Sequence, residues 1–166
     1  TFKVNNSPNK ISLMKNSTLL LLIFLLIISC SEKEKEEDIM NNILTTYNEM
    51  YTSYGEGNND FFKYFENDFV RVTSSGDIQR GVEKPKVEWT DYLKIYSVYL
   101  KSFSKPEIIL SPKQAITIGD YEEYFINRET KDSIYNRGVY IASWNMQEDG
   151  SWKISMDTWH AGLDKE

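Results

Sequence analysis

The side chains of this sequence that could do chemistry are carboxylates and tyrosines. Asp157 stands two residues before Trp159, and Asp120, Glu122 and Glu123 surround Tyr121. A carboxylate that is buried among aromatic rings has its pKa raised by desolvation, so it can transfer a proton near neutral pH. The sequence therefore permits an acid–base site, with Asp157 as the candidate catalytic residue.

A structural role for the same carboxylates is the alternative, and we favour it. Asp120 follows Gly119 and fits a Gly-Asp turn, while Glu122 and Glu123 fit a solvated surface. Asp157 would then accept hydrogen bonds that fix the sheet or a helix end. On this interpretation the protein binds a ligand without transforming it.

Several classes of site lack their residues in this sequence. His160 is the only histidine, and we expect it at the exposed end of the last strand. No histidines, cysteines and carboxylates have the spacing of metal ligands, and no Gly-rich phosphate loop or Gly-x-Ser-x-Gly motif is present. We therefore expect neither a metal nor a cofactor.

The N-terminal part has the order of an export signal. Lys15 precedes an apolar run, Leu19 to Ile28, which is about half of the roughly 20 apolar residues of a spanning helix. Ile27-Ile28-Ser29-Cys30 resembles a bacterial lipobox, and this resemblance implies that Cys30 becomes N-terminal and acylated, with palmitate for example. Cys30 is the only cysteine, so no intramolecular disulfide competes for it.

The lipobox sets the expected organisation of the chain. Residues 1–13 carry no usable pattern, and Met14 is the more plausible start. A charge run follows Cys30 and suits a solvated tether. The predicted parts are 1–13 unassigned, 14–29 lipoprotein signal peptide, 30–37 lipidated cysteine and acidic tether, 38–161 a single domain, and 162–166 a tail. We expect a lipid-anchored protein of the bacterial outer membrane, on its periplasmic side or at the cell surface.

The charge balance excludes one class of partner. Three of the 19 basic residues, Lys3, Lys10 and Lys15, precede Cys30 and no acidic residue does, so 16 basic and 25 acidic residues leave the mature chain at −9. Binding to nucleic acid needs a basic face that neutralises phosphates. The expected partners are therefore the membrane, through the anchor at Cys30, and a small molecule.

Helices are predicted in the first half of the domain and strands in the second. Apolar residues recur at helical spacing over 37–54, a short helix follows over 61–66, and Trp89, Tyr92 and Tyr96 mark a third helix. One strand, 69–72, is predicted before the third helix. The other predicted strands follow that helix: 107–110, 115–128 and the final pair. Such segregation predicts an α+β fold.

The final pair of strands is predicted to form a β-hairpin. Its turn, residues 147–150, ends in Asp-Gly. We expect Trp144, Trp152 and Ile154 to be core residues of this hairpin. Trp152 and Trp159 differ by an odd number, so an unbroken strand would send them to opposite faces. Either the strand carries a bulge or one of the two tryptophans lies on the outer face.

Four features in order resemble the nuclear transport factor 2-like superfamily, and most of all its SnoaL-like branch. They are a short helix opening at Asn59-Asp60 after an amphipathic helix, then Asp68-Phe69-Val70, then Gly81 before the next helix, and an ending with Gly138, Trp144, Trp152 and Asp157-Thr158-Trp159. The resemblance covers residues 38–161. It implies a curved antiparallel sheet wrapped by three N-terminal helices into a cone.

The family's cone commonly holds a pocket, and its outer sheet face often forms a dimer. The resemblance thus implies a ligand site and a homodimer through that face. Ketosteroid isomerases, which are distant members, use carboxylates and tyrosine for proton transfer, but no residue here matches their set by motif. Three functions follow: a ligand-binding lipoprotein, which we favour, an isomerase, cyclase or hydratase, and an interaction module. The expected ligand-binding residues are Tyr47, Tyr51, Trp89, Tyr92, Tyr124, Tyr140 and Asp157.

Overall fold

The computed structural model describes residues 35–162. Outside the described residues lie the predicted signal peptide, Cys30, residues 31–34 of the tether and the last four residues. The compact unit that carries the candidate site begins at Met40. None of the helices within 35–162 combines the length and the apolar character that crossing a membrane requires.

Residues 35–162 form two α-helices, one 3-10 helix and seven strands. Helix α1 is described from residue 35 to 55. The elements after it are the 3-10 helix Asp60–Tyr64, β1 (Phe65–Val72), β2 (Ile78–Arg80), α2 (Glu83–Ile95), β3 (Tyr96–Phe103), β4 (Glu107–Ser111), β5 (Gln114–Asn127), β6 (Ser133–Met146) and β7 (Trp152–Ala161).

The seven strands form one curved, unclosed sheet with the helices packed against it, so the α+β expectation is confirmed. The strand order is β2-β1-β7-β6-β5-β3, and β4 also pairs with β5. We call the side that carries the helices the inner face. The sheet is mixed, because β1 runs parallel to β7 while the other pairs are antiparallel.

Helix α1 covers the inner face with a continuous apolar stripe. Ile43, Tyr47, Met50 and Tyr51 are buried, and their spacing of four, three and one places them on one side of an α-helix. The Tyr47 ring packs against Phe103 of β3 at 6.2 Å between centroids. The helical pattern in the sequence thus identified the first element correctly.

Local details of the first half depart from the prediction. The second helix is a 3-10 helix that ends at Tyr64, and β1 begins at Phe65 instead of residue 69. Helix α2 ends at Ile95, so Tyr96 opens a strand that the sequence analysis missed. The reason is that Tyr96 continues the spacing of the α2 stripe while also starting the alternation of β3, and tertiary pairing with β5 decides between the two.

The C-terminal hairpin is observed, and it contains a bulge. Trp144 pairs with Ile154 and Ser143 pairs with Met156, which leaves Ser155 without a partner residue. A bulge shifts the side-chain alternation by one residue. The first of the two alternatives therefore holds, and both tryptophans of β7 face inward.

The hairpin also supplies residues of the buried core. Trp144, Trp152 and Ile154 are buried, as expected. The Trp144 indole Nε1 donates a hydrogen bond of 2.9 Å to Thr117 Oγ1, so its polar group is satisfied inside the core. His160 lies at the exposed end of β7.

Candidate functional site

An aromatic cavity of about 410 Å³ lies between the two α-helices and the inner face of the sheet. This volume falls within the range of small-molecule sites, roughly 300 to 1,000 Å³. Most of the wall is aromatic or aliphatic, and its polar groups are few. The lining residues are Met50, Tyr51, Tyr54, Phe61, Phe65, Arg71, Pro85, Glu88, Trp89, Tyr92, Leu100, Tyr121, Glu123, Phe125, Asn136, Tyr140 and Trp159.

Stacked rings from both helices form one wall of the cavity. Trp89 stacks on Tyr54 of α1 at 5.1 Å between centroids and on Tyr92, one helical turn further along α2, at 5.8 Å. Tyr92 also makes an edge-to-face contact with Phe125 of β5, with 5.0 Å between the ring centroids, and this contact connects the stack to the sheet. The Trp89 indole Nε1 donates to the Asn58 carbonyl oxygen at 3.1 Å, which fixes the orientation of the ring.

Glu123 is a buried carboxylate that faces the cavity. Its residue is only 4 % exposed, although the sequence analysis placed it on a solvated surface. The Tyr54 hydroxyl donates to Oε2 at 2.6 Å, and Asn136 Nδ2 donates to Oε1 at 2.7 Å. Burial raises the pKa of the Glu123 carboxyl, and these two hydrogen bonds oppose the rise. No cation pairs with Glu123 in the described part of the chain.

Asp157 lies behind the cavity wall in a dense polar network. Arg71 donates to it from Nε at 3.0 Å and from Nη2 at 2.7 Å, and the Tyr140 hydroxyl donates at 2.9 Å. Asp157 is fully buried, whereas Arg71 and Tyr140 line the cavity. Burial lowers the pKa of Arg71, but the Asp157 carboxylate outweighs this effect and holds that pKa above its ordinary value. The arrangement is a bidentate buried ion pair.

Aromatic rings surround the guanidinium of this pair. The Arg71 Cζ lies 5.2 Å from the ring centroid of Trp159 and 5.4 Å from that of Phe69. Burial and the nearby charge of Asp157 raise the pKa of Tyr140 well above its usual value, so the Tyr140 hydroxyl stays protonated and donates. The network therefore presents a neutralised surface to the cavity.

The structure brings four of the seven sequence-predicted ligand residues to the cavity wall: Tyr51, Trp89, Tyr92 and Tyr140. Tyr47 lies beneath Tyr51, with 4.8 Å between their ring centroids, and burial raises its pKa to about 12. Asp157 reaches the cavity only through Arg71 and Tyr140.

Tyr124 lies on the outer face, outside the predicted site. Its ring contacts Tyr99 and Tyr135 at 6.3 and 5.1 Å between centroids. Neighbouring residues of a strand point to opposite faces, so Tyr124 must face outward when Glu123 faces inward. The aromatic character of Tyr124 suggested a pocket residue, but the register of β5 decides its side.

Gly119 and Asp120 lie inside β5 and do not form the expected turn. A Cβ atom at Gly119 would overlap the Tyr47 hydroxyl of α1. The glycine therefore serves close packing of α1 on the sheet, and Asp120 is an exposed strand residue.

Four polar residues of the cavity were not predicted to belong to the site: Glu123, which was assigned to a solvated surface, and Tyr54, Asn136 and Arg71. One signal could have found the first: Tyr121, Glu123 and Phe125 alternate, so the glutamate shares a face with two aromatic residues. Asn136 is the cross-strand partner of Glu123, a relation that depends on the register of β5 and β6. Among residues 35–162, no group of His, Cys, Asp or Glu is arranged to hold a metal ion.

Comparison with known proteins gives similarity in structure alone. No protein-family model matches the sequence, and no curated protein matches it. Among solved structures, a nuclear transport factor 2-like superfamily protein from Salmonella enterica serovar Typhimurium superposes with a TM-score of 0.65 at 15 % identity, covering 78 % of this chain and 95 % of the other.

Two further structures resemble this chain to the same degree. A ketosteroid isomerase-like protein from Erwinia carotovora atroseptica has a TM-score of 0.67 at 11 % identity and covers 75 % of this chain and 96 % of its own. A candidate scytalone dehydratase from Novosphingobium aromaticivorans has a TM-score of 0.66 at 12 % identity, with 75 % and 84 % covered. Identities this low show the fold and nothing finer. The chain has the nuclear transport factor 2-like fold.

Proposed function

We propose that this domain binds a small, partly apolar molecule in the aromatic cavity without transforming it. The observation that carries the proposal is the combination of cavity volume, about 410 Å³, with a wall of stacked rings and few polar groups. Aromatic walls bury apolar ligand surface, and a few placed polar groups fix its orientation. The nuclear transport factor 2-like fold, which also occurs in a ketosteroid isomerase-like protein, is consistent with such a cavity.

Native mass spectrometry of protein extracted gently from its own membranes tests this proposal. We expect a co-purifying small molecule that is lost from Leu100→Phe, because Leu100 lines the cavity and a larger side chain would occupy it. The matched control is Tyr99→Phe, since the neighbouring residue lies on the outer face. Equal ligand content in the two variants, or none in wild type, would refute the proposal.

Proton-transfer catalysis of the isomerase, cyclase or hydratase type is a second candidate, and one observation favours it. Glu123 is buried, faces an apolar cavity and has a raised pKa, which are the properties of a general acid or base. In this case the catalytic residue would be Glu123, with Asp157 holding Arg71. A turnover assay with Glu123→Gln decides: a catalytic role requires a loss of about 10²-fold or more while the fold persists.

The lipid anchor remains a separate proposal, carried by the lipobox-like sequence that ends at Cys30. Each acyl chain contributes roughly 0.8 kcal/mol per buried CH₂, and the two chains of a diacylglycerol-modified cysteine together would hold a domain at an outer membrane. Cys30→Ala protein should leave the membrane fraction or keep its signal peptide. Processed, membrane-bound Cys30→Ala protein would exclude this anchor.

The outer sheet face favours a homodimer. Ile109 and Ile116 are cross-strand partners there, and both are exposed together with Met156, which lies in the same cross-strand row through Ser143. Exposed apolar patches of this kind mark interaction surfaces. Analytical ultracentrifugation should find a dimer that Ile116→Glu converts to monomer, whereas a wild-type monomer would argue against the interface.

A further inference from the structure

We infer that the cavity selects positively charged ligands, namely amphipathic organic amines whose ammonium group binds Glu123 while the apolar body lies against the aromatic wall. The inference rests on the proposed ligand-binding function and adds the chemical class of the ligand. Three independent features of the site support it: the charges at the cavity, the free hydrogen-bonding capacity of Glu123, and the aromatic surface around it.

The first feature is the balance of charge at the cavity. Arg71 is the only basic lining residue in the part of the chain that the structure describes, and the bidentate contacts with Asp157 already neutralise that charge. Among residues 35–162, the donors to Glu123 are both neutral, the hydroxyl of Tyr54 and the amide of Asn136. The other acidic lining residue, Glu88, lies near Lys84 at 3.7 Å and has a half-exposed side chain. The uncompensated charge inside the cavity is therefore negative.

The second feature is that Glu123 can accept more hydrogen bonds than it receives. An ionised carboxylate offers about four acceptor positions on its two oxygens. Tyr54 occupies one position on Oε2 and Asn136 one on Oε1. Because Glu123 lines the cavity, an ammonium group there can reach the remaining positions without displacing either donor.

The third feature is the nature of the surrounding surface. The faces of aromatic rings carry negative potential and attract cations within about 6 Å of the ring centre. Tyr54, Trp89 and Tyr92 stack on one another at this cavity, and Tyr121 is also in the lining, so a cation can use the ring faces that the stack leaves uncovered. A carboxylate ligand would meet Glu123 with unfavourable sign. The site thus discriminates by charge in addition to shape.

A series of three probes with the same body tests the inference: 4-phenylbutylamine, 4-phenylbutan-1-ol and 4-phenylbutyrate. Binding to the wild-type protein is measured at neutral pH by isothermal titration calorimetry and by tryptophan fluorescence. We expect the amine to bind at least tenfold more tightly than the alcohol, with the carboxylate weakest. Tighter or equal binding of the alcohol or the carboxylate would overturn the charge selectivity while leaving ligand binding intact.

Variants then assign the selectivity to one residue. In Glu123→Gln the affinities for amine and alcohol should become equal, whereas Glu122→Gln, which changes the adjacent residue on the outer face, should keep the wild-type preference. An undiminished preference in Glu123→Gln refutes the assignment. If that variant does not fold, the ranking of the three probes in wild type still decides. Binding of none of the three would count against both the inference and the proposed function.

Discussion

Two buried carboxylates on the inner face of the same sheet, Asp157 and Glu123, have opposite environments. Each accepts a hydrogen bond from a tyrosine, Tyr140 in the first case and Tyr54 in the second. Asp157 adds a bidentate pair with Arg71, whereas Glu123 adds only a neutral amide. The counter-charge therefore distinguishes a carboxylate that holds the structure from one that is available to a ligand.

The difference has an energetic consequence. A buried ion pair approximately offsets its own desolvation, but loss of one partner leaves an uncompensated charge. Glu123 has no such partner within the described residues, and its burial disfavours the ionised form and raises its pKa. Because the folded-state pKa lies above the unfolded one, this group favours the folded state fully at low pH, and that contribution is lost as pH rises through the folded pKa.

The largest effect is expected from breaking the paired site. Asp157→Asn leaves the buried Arg71 guanidinium without its anion, which should cost about 3–5 kcal/mol of unfolding free energy. Chemical denaturation at neutral pH measures the loss. Asp120→Asn, a change on an exposed residue of β5, is the control and should be near neutral. An Asp157→Asn protein as stable as wild type would remove the structural role of the pair.

Replacing both partners sharpens the same point. Arg71→Met combined with Asp157→Leu removes both charges and fills similar volume, and such replacements are often neutral or stabilising. The double variant should therefore be more stable than either single variant by several kcal/mol. A double-mutant cycle measures the coupling, and simple additivity of the two losses would show that the charges do not act as a pair.

The sequence predicted the scaffold better than the site, and particular residues show why. The α1 stripe and the Asp149-Gly150 turn are local patterns, and a single stretch of sequence contains all their information. The inward direction of Asp157 and Trp159 depends on a bulge at Ser155, which forms only against β6. Likewise, alternation groups Glu123 with Tyr121 and Phe125, but only packing against the helices makes that face the inner one.

A smaller effect is expected at the neutral donor of the unpaired site. Tyr54→Phe keeps the ring contacts with Trp89 and Phe61 but removes the hydroxyl that donates to Glu123. The loss of a hydrogen bond to a charged group should cost about 1.5–3 kcal/mol when Glu123 is ionised. Denaturation at neutral and acidic pH measures it. Tyr64→Phe, which removes an exposed hydroxyl near Glu49, is the control and should change little.

The smallest change in stability, and the most specific, is expected from Glu123→Gln. Glutamine has nearly the same shape as glutamate but carries no ionisable carboxyl group. The unfolding free energy at neutral pH should therefore stay equal or rise slightly. The loss of stability that the wild-type protein shows as pH rises should become smaller. Its neighbour Glu122 provides a control of opposite sign, because hydrogen bonds from Lys101 and Tyr135 lower the pKa of Glu122.

The contribution of Glu122 is present above its unfolded pKa and is lost as pH falls through the folded pKa. Glu122→Gln should therefore lower the unfolding free energy at neutral pH and reduce its loss as pH falls. Glu123→Gln should instead reduce the loss of unfolding free energy that occurs as pH rises. Unfolding free energies from urea titrations between pH 3 and pH 8 separate the two. The same pH dependence in both variants would mean that the adjacent carboxylates are equivalent, and the contrast between a paired and an unpaired site would fail.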